Sequence, residues 1–419
     1  MVCFCPSVLR SAIILLLIAG AASAHAPRQG SPDAVFAGLP FDEWLKRPDA
    51  SHLRWTANVA EPFLSAHQRL IARLYIEVDG RELARRRGNG TLLVLVQVDD
   101  QHGRVWQNHQ EMDLGKLEEG IKANDALFGQ AFFVLPGDYR VAMALYDTAT
   151  HEHALRTKNL HVSRLRNDPL PESWQDLPAV EFTGPTSPPD GWFLPQIRSS
   201  LHLTAEPREP ARISLLVNLT PSERLTGSAR VQNRNFSSLL PAAKLLSAVA
   251  WGASPFHVEL ADLARRKVVY EDSDAGIDWL RASAGLAAVN PGLIDVNSLQ
   301  NRWYAAQFFL DEVARQLSGG SQKKILIVLS SAVEFTGGQD TRPVAPELAA
   351  NTTIYYIRYQ PFVYPSRRPR DGPPRPQPFP PVDQLAALLR PLNPRLYDAA
   401  TPEQFRKVLA TVLADISRQ

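Results

Sequence analysis

The run Ile213-Ser214-Leu215-Leu216-Val217, followed directly by Asn218-Leu219-Thr220-Pro221-Ser222, decides how the second half of this 419-residue chain is read. Five residues carrying a single hydroxyl, ended by an amide, two more hydroxyls and a proline, describe a strand buried on both faces that stops in a polar loop. Downstream, Phe236 to Val249 places Leu239, Leu240, Ala243, Leu246 and Val249 at helical spacing, and Phe256–Leu260 and Lys267–Tyr270 flank a turn. Trp303 to Leu317 is an amphipathic helix that Gly319-Gly320 ends, while Lys324–Leu329 and Thr353–Tyr359 repeat the buried-strand pattern. Glu403 to Ile416 closes the chain as a helix, with Thr401 as N-cap and Pro402 in its first turn. This alternation predicts an α/β doubly wound, Rossmann-like domain over residues 210–419.

The front half has a different period. Leu70–Val78, Thr91–Val98, Ala131–Val134 and Tyr139–Tyr146 are short runs rich in β-branched, aromatic and Leu residues, separated by turn sequences such as Pro136-Gly137-Asp138. They predict an all-β sandwich over residues 65–165. Leu135 to Asp147 resembles the penultimate hairpin of immunoglobulin-like modules. Residues 25–64 form a short segment that packs on a domain without being one, and residues 166–209 form a Pro-rich linker or wrapping arm. Within that arm Trp174, Trp192 and Phe193 predict packing on a neighbour. A second Pro-rich stretch, 361–381, reads as an insertion that can serve as a recognition surface.

The order of elements over residues 210–419 resembles a von Willebrand factor A domain. Asn218 to Ser222 stands where that family carries an Asp-x-Ser-x-Ser metal loop, His257 to Tyr270 stands for its edge hairpin, and Lys324 to Ala332 stands for its central strand and third metal loop. Together with the β-rich front half, the chain is similar to von Willebrand factor A-related secreted bacterial proteins. The resemblance implies a metal-ion-dependent adhesion site, and the departures imply a degenerate one. Asn218 replaces the first aspartate, Ser331 replaces the third-loop aspartate, and Asn297-Ser298 stands in place of the middle loop. The residual shell for Mg²⁺ is Asn218, Thr220, Ser222, Ser298 and Ser331. Such neutral oxygens are poor ligands for a cation that sheds water reluctantly, so no cofactor is expected. The bland alternative is that Asn218, Thr220 and Ser222 merely cap a turn.

Function follows from these readings as an expectation. The chain is a non-enzymatic protein-binding module, its contact surface formed by Asn218, Thr220, Ser222, Asn297, Ser298, Ser331 and Glu334 beyond the carboxyl ends of the strands. The alternatives are a divalent-cation-dependent adhesion module that keeps a residual metal, and an unrecognised enzyme with a perturbed acid or base at the same loops. No Gly-x-Ser-x-Gly elbow occurs, and both cysteines, Cys3 and Cys5, precede the apolar stretch Ser11–Gly20. That stretch, with Arg10 before it and Ala22-Ser23-Ala24 after it, reads as a cleavable leader over residues 1–24. It predicts an exported, periplasmic or extracellular protein with no membrane span after cleavage. A net charge of +2, from 45 basic and 43 acidic residues, excludes a strong field for nucleic acid. His151, His153 and His161 invite a zinc reading, but they follow a turn and read better as a solvated hairpin.

Overall fold

The computed structural model describes residues 34–46, 53–183, 199–220, 229–273, 276–287, 302–333, 346, 351–360 and 383–419. The leader at 1–24, Ser222, Asn297, Ser298, Glu334, Trp192, Phe193 and the insertion 361–381 lie outside the described residues.

Two short helices, α1 (Ala34–Ala37) and α2 (Phe41–Lys46), precede strands β1 (Trp55–Val59), β2 (Phe63–Leu64) and β3 (Leu70–Val78). After helix α3 (Gly80–Arg85) come β4 (Thr91–Asp100), β5 (Val105–Asp113), β6 (Ala126–Val134), β7 (Gly137–Asp147), β8 (His153–Val162) and β9 (Val180–Phe182). They form two sheets, one running β1-β3-β6-β9 with β2 also on β3, the other β5-β4-β7-β8, and every pairing in both is antiparallel. A shared core holds them together, with Leu74, Ile76 and Phe132 from the first sheet and Val94, Val96, Val141 and Met143 from the second. Strand β4 is buried along nearly its whole length because its outer face is covered too. Phe36, Phe41 and Trp44 of α1 and α2 cover Leu93, Leu95, Ala142 and Ala144 there. Each such aromatic side chain removed from water contributes about 2 kcal/mol.

The third sheet is built from β10 (Arg212–Asn218), β11 (Phe256–Asp262), β12 (Lys267–Ser273), β13 (Lys324–Ser330), β14 (Thr352–Tyr359) and β15 (Arg395–Ala399), in the order β12-β11-β10-β13-β14-β15. The β11–β12 hairpin is antiparallel and the other four pairings are parallel. Its helices are α4 (Ala229–Ser247), α5 (Trp279–Ala287), α6 (Arg302–Leu317), α7 (Gln384–Leu389) and α8 (Pro402–Arg418). Leu240 and Leu246 of α4 and Phe405, Leu409 and Val412 of α8 pack against Leu215, Val217 and Ile327. Phe309 and Val313 of α6 and Leu385 of α7 pack against Leu216, Leu326 and Val328.

The doubly wound α/β expectation is overturned. Strand outweighs helix, 39% against 29%, the strands fall into three sheets, and eight of the twelve strand pairings among the described residues are antiparallel. The reason lies in connection length. In the third sheet the short turn between Asp262 and Lys267 returns the chain at once, and in the front half turns such as Asp100–Gly103 do the same, and a short turn permits only antiparallel pairing. Two further strands fall outside the apolar runs. Val105–Asp113 and His153–Val162 are largely polar edge strands, so their alternation shows no apolar signal.

The segment after β8 is wired to the third sheet through Arg406 of α8, which is 1% exposed. Its guanidinium donates to both oxygens of Asp168 at 2.6 and 2.8 Å, to Leu170 O at 2.7 Å and to Ser173 Oγ at 2.8 Å. It also lies 4.8 Å from the Trp174 ring centroid. Trp174 Nε1 donates to Gln68 O and Gln68 Nε2 donates to Pro402 O, so the first sheet is tied to the same helix. The first part of the Pro-rich arm is therefore a packed connector, which is the use its tryptophan implied.

Candidate functional site

Parallel pairing in register sets β10, β11 and β13 side by side, so their carboxyl ends arrive together. Val217 lies level with Leu329, and Asn218 lies level with Ala261. Asn218 is fully buried, and both ends of its amide are used. Nδ2 donates to Ser330 Oγ at 2.9 Å, and Oδ1 accepts from Thr220 N–H at 2.9 Å. The Ser330 hydroxyl passes its own proton to Ser331 O at 2.6 Å. Thr220 Oγ1 donates to Asp262 Oδ1 at 3.2 Å and accepts from Ala264 N–H at 3.1 Å.

The structure brings Asn218 and Thr220 together but meets them with Ser330 rather than Ser331. Successive residues of a strand face opposite ways, and Ser330 is the last strand residue with the facing that meets Asn218. Ser331, 4% exposed, keeps an Oγ with no hydrogen bond.

Carboxylates do reach this end of the sheet, from positions that the metal-loop resemblance does not align. Asp262, at the end of β11, accepts from Arg265 N–H at 3.1 Å and from Arg265 Nη1 at 2.6 Å. Asp383, just before α7, accepts from Val333 N–H, from Tyr356 OH at 2.9 Å and from Arg358 Nη1 at 3.3 Å. Burial, reinforced by Asp383, holds the Tyr356 phenol well above its ordinary range. Each carboxylate thus has an arginine in contact. A hard cation entering here must displace guanidinium groups whose side chains are themselves largely covered. The available signal for Asp262 is its register: it ends the strand beside Asn218.

A second polar cluster sits at the opposite end of β11. His257 and Glu259 alternate onto one face of that strand, and Glu271 of β12 stands directly across from Glu259 in the ladder. Arg315 of α6 donates to Glu259 Oε2, to Glu271 Oε1 at 2.6 Å and to Glu312 Oε2 at 2.6 Å. Gln316 Nε2 donates to Glu259 Oε2 at 2.6 Å, and the His257 Nδ1 and Ser273 Oγ atoms lie 3.0 Å apart. Glu259 is 0% exposed; burial, then Glu312, pushes its carboxyl up to about 7. Burial also lowers His257, against the pull of Glu271. Sequence reasoning misses all of these residues, since His257-x-Glu259 in a buried strand looks like core.

The histidines that invited a zinc reading do not converge. His151 Nδ1 lies 2.8 Å from Tyr146 OH, His153 stacks on Trp44 with ring centroids 4.3 Å apart, and His161 Nδ1 lies 2.6 Å from Asp138 Oδ1.

No helix among the described residues is long and apolar enough to cross a membrane. No family model matches the chain, and no curated protein matches it. Among solved structures, a structural-genomics target designated SoR45 is 8% identical with a TM-score of 0.17, covering 27% of this chain and 92% of its own. A protein described as ApaA, from Bordetella pertussis, is 10% identical with a TM-score of 0.16, covering 27% of this chain and 97% of its own. At these scores the likeness carries no argument about fold or function.

Proposed function

We propose that this is an exported, non-enzymatic protein-binding module whose contact surface is the loop face beyond Asn218, Thr220 and Ser331. The observation that supports this reading is the internal engagement of most polar groups on that face, with the Ser331 hydroxyl the exception. Asn218 uses both ends of its amide internally, Thr220 uses its hydroxyl, and Asp262 and Asp383 are each held by an arginine. A group with every lone pair and proton engaged is a poor nucleophile, base or metal ligand, but it makes a rigid rim whose ordering costs little on association. The resemblance of the 218–222 loop to von Willebrand factor A metal loops supports the choice of face. The leader-like residues 1–24 support export.

The test is site-specific photo-crosslinking of the full chain in the cells that produce it, with the reactive group at Arg265 on the loop face or at Leu127, 66% exposed on β6. A partner captured from position 265 and not from 127 supports the reading. Capture from 127 alone, or equally from both, overturns the choice of face. Tight native Mg²⁺ binding by calorimetry, lost in Asn218→Leu, would sink the metal-free version and return the adhesion module.

A further inference from the structure

We propose that His257, Glu259 and Glu271 form a binding site for a divalent transition-metal ion of the Zn²⁺ class, with the Arg315 guanidinium acting as its exchangeable stand-in. Ligand-capable atoms of these three residues all lie within 4.8 Å of one another. Backbone register fixes the arrangement: two ligands come from one face of β11, and the third stands opposite Glu259 on β12. A site preset by a sheet ladder needs little ordering when the ion arrives.

Two buried electron pairs point the same way. Glu259 Oε1 makes no hydrogen bond although the residue is fully buried. His257 Nε2, in a residue 7% exposed, lies 3.2 Å from Glu271 Oε1 without hydrogen-bond geometry and is likewise unsatisfied. A buried acceptor left unpaired is costly, and one cation between these atoms removes both costs.

Charge and access complete the case. Glu259, Glu271 and Glu312 converge on Arg315, so a doubly charged ion replaces a singly charged one among three carboxylates. Arg315 is 44% exposed at its side chain and can swing into solvent, while Glu271, 42% exposed on the edge strand, leaves an entrance. An imidazole beside carboxylates suits Zn²⁺, Co²⁺ or Ni²⁺ better than Mg²⁺ or Ca²⁺. Three protein ligands leave the fourth tetrahedral position for water.

The experiment is calorimetric titration of the chelator-treated full chain with Zn²⁺, repeated with Co²⁺ to read the visible absorption of its coordination sphere. One equivalent is expected to bind. Glu271→Gln and His257→Gln should each weaken binding at least tenfold, and Arg315→Gln should tighten it several-fold. Glu271 lies on an exposed edge, so its variant keeps the test open if a core substitution fails to fold. No heat and no cobalt spectrum, or the same affinity in the Glu271 and His257 variants, overturns the proposal. Retained affinity in both variants would place the metal elsewhere, for instance on His151 or His161.

Discussion

The strand pair β10–β11 ends differently at its two extremities. At the carboxyl end, Asn218, Thr220, Ser330 and Asp262 exchange every available proton within a closed network. Near the start of β11, Glu259 Oε1 and His257 Nε2 are buried with no hydrogen bond. Both clusters are polar, both are buried, and both lie against the same sheet. The difference teaches that burial of polar groups does not by itself mark function. A closed network stabilises and specifies the loop, whereas an open one retains binding capacity at a cost to stability.

The largest buried arginine network is at Arg406, where Nε and Nη2 are engaged and Nη1 makes no hydrogen bond, and breaking it should have the largest effect. Arg406→Met leaves the Asp168 carboxylate, 12% exposed, without its cation. We expect a loss of roughly 3–5 kcal/mol in denaturant unfolding; a loss below about 1 kcal/mol would mean that this network is not what joins α8 to the connector. Next in size, Asn218→Leu keeps the volume but strands the Thr220 N–H and removes the donor to Ser330. About 3 kcal/mol should be lost, as a shifted midpoint with an unchanged slope.

The open cluster answers to pH instead. Glu259 is pushed up to about 7 from 4.5 in the fold, by burial first, so the unfolded chain releases that proton sooner. With metal chelated, stability should therefore be fully present below about 4.5 and fall as pH rises through about 7, with a limiting slope of roughly 1.4 kcal/mol per pH unit. Glu271, Glu312, Arg315 and Gln316 face this carboxyl and set the midpoint. Glu259→Gln should flatten the profile, and an unchanged profile would assign the slope to other groups. The smallest effect belongs to Glu271→Gln, which touches an exposed pair and should change stability by less than about 0.5 kcal/mol while weakening the metal. That split between stability and binding is what separates a ligand from a structural partner.

Several elements are legible in the amino-acid order alone. The strands at Leu70–Val78 and Lys324–Ser330 follow from their apolar runs. The Thr401 cap of α8, whose hydroxyl accepts from Gln404 N–H, follows from its capping chemistry. So does the left-handed glycine pair Gly319-Gly320 that ends α6, with φ of +70° and +62°. The polar edge strands β5 and β8 are not legible, because their side chains carry no apolar period. At the loop, the sequence points to Asn218 and Thr220. It gives no hint of Ser330 and Asp262, which lie 112 and 42 residues away from the partners they meet.

By itself, then, the amino-acid order determined where many strands and helices begin and end, since local periodicity, caps and turns act over a few residues. Only the tertiary structure decided that the strands divide into three sheets, that Arg265 and Arg358 hold the carboxylates of the loop face, and that Glu259 faces Glu271. Those outcomes depend on register between strands and on burial. Both are set by the closing of sheets on shared cores, and neither is written in any single stretch of the chain.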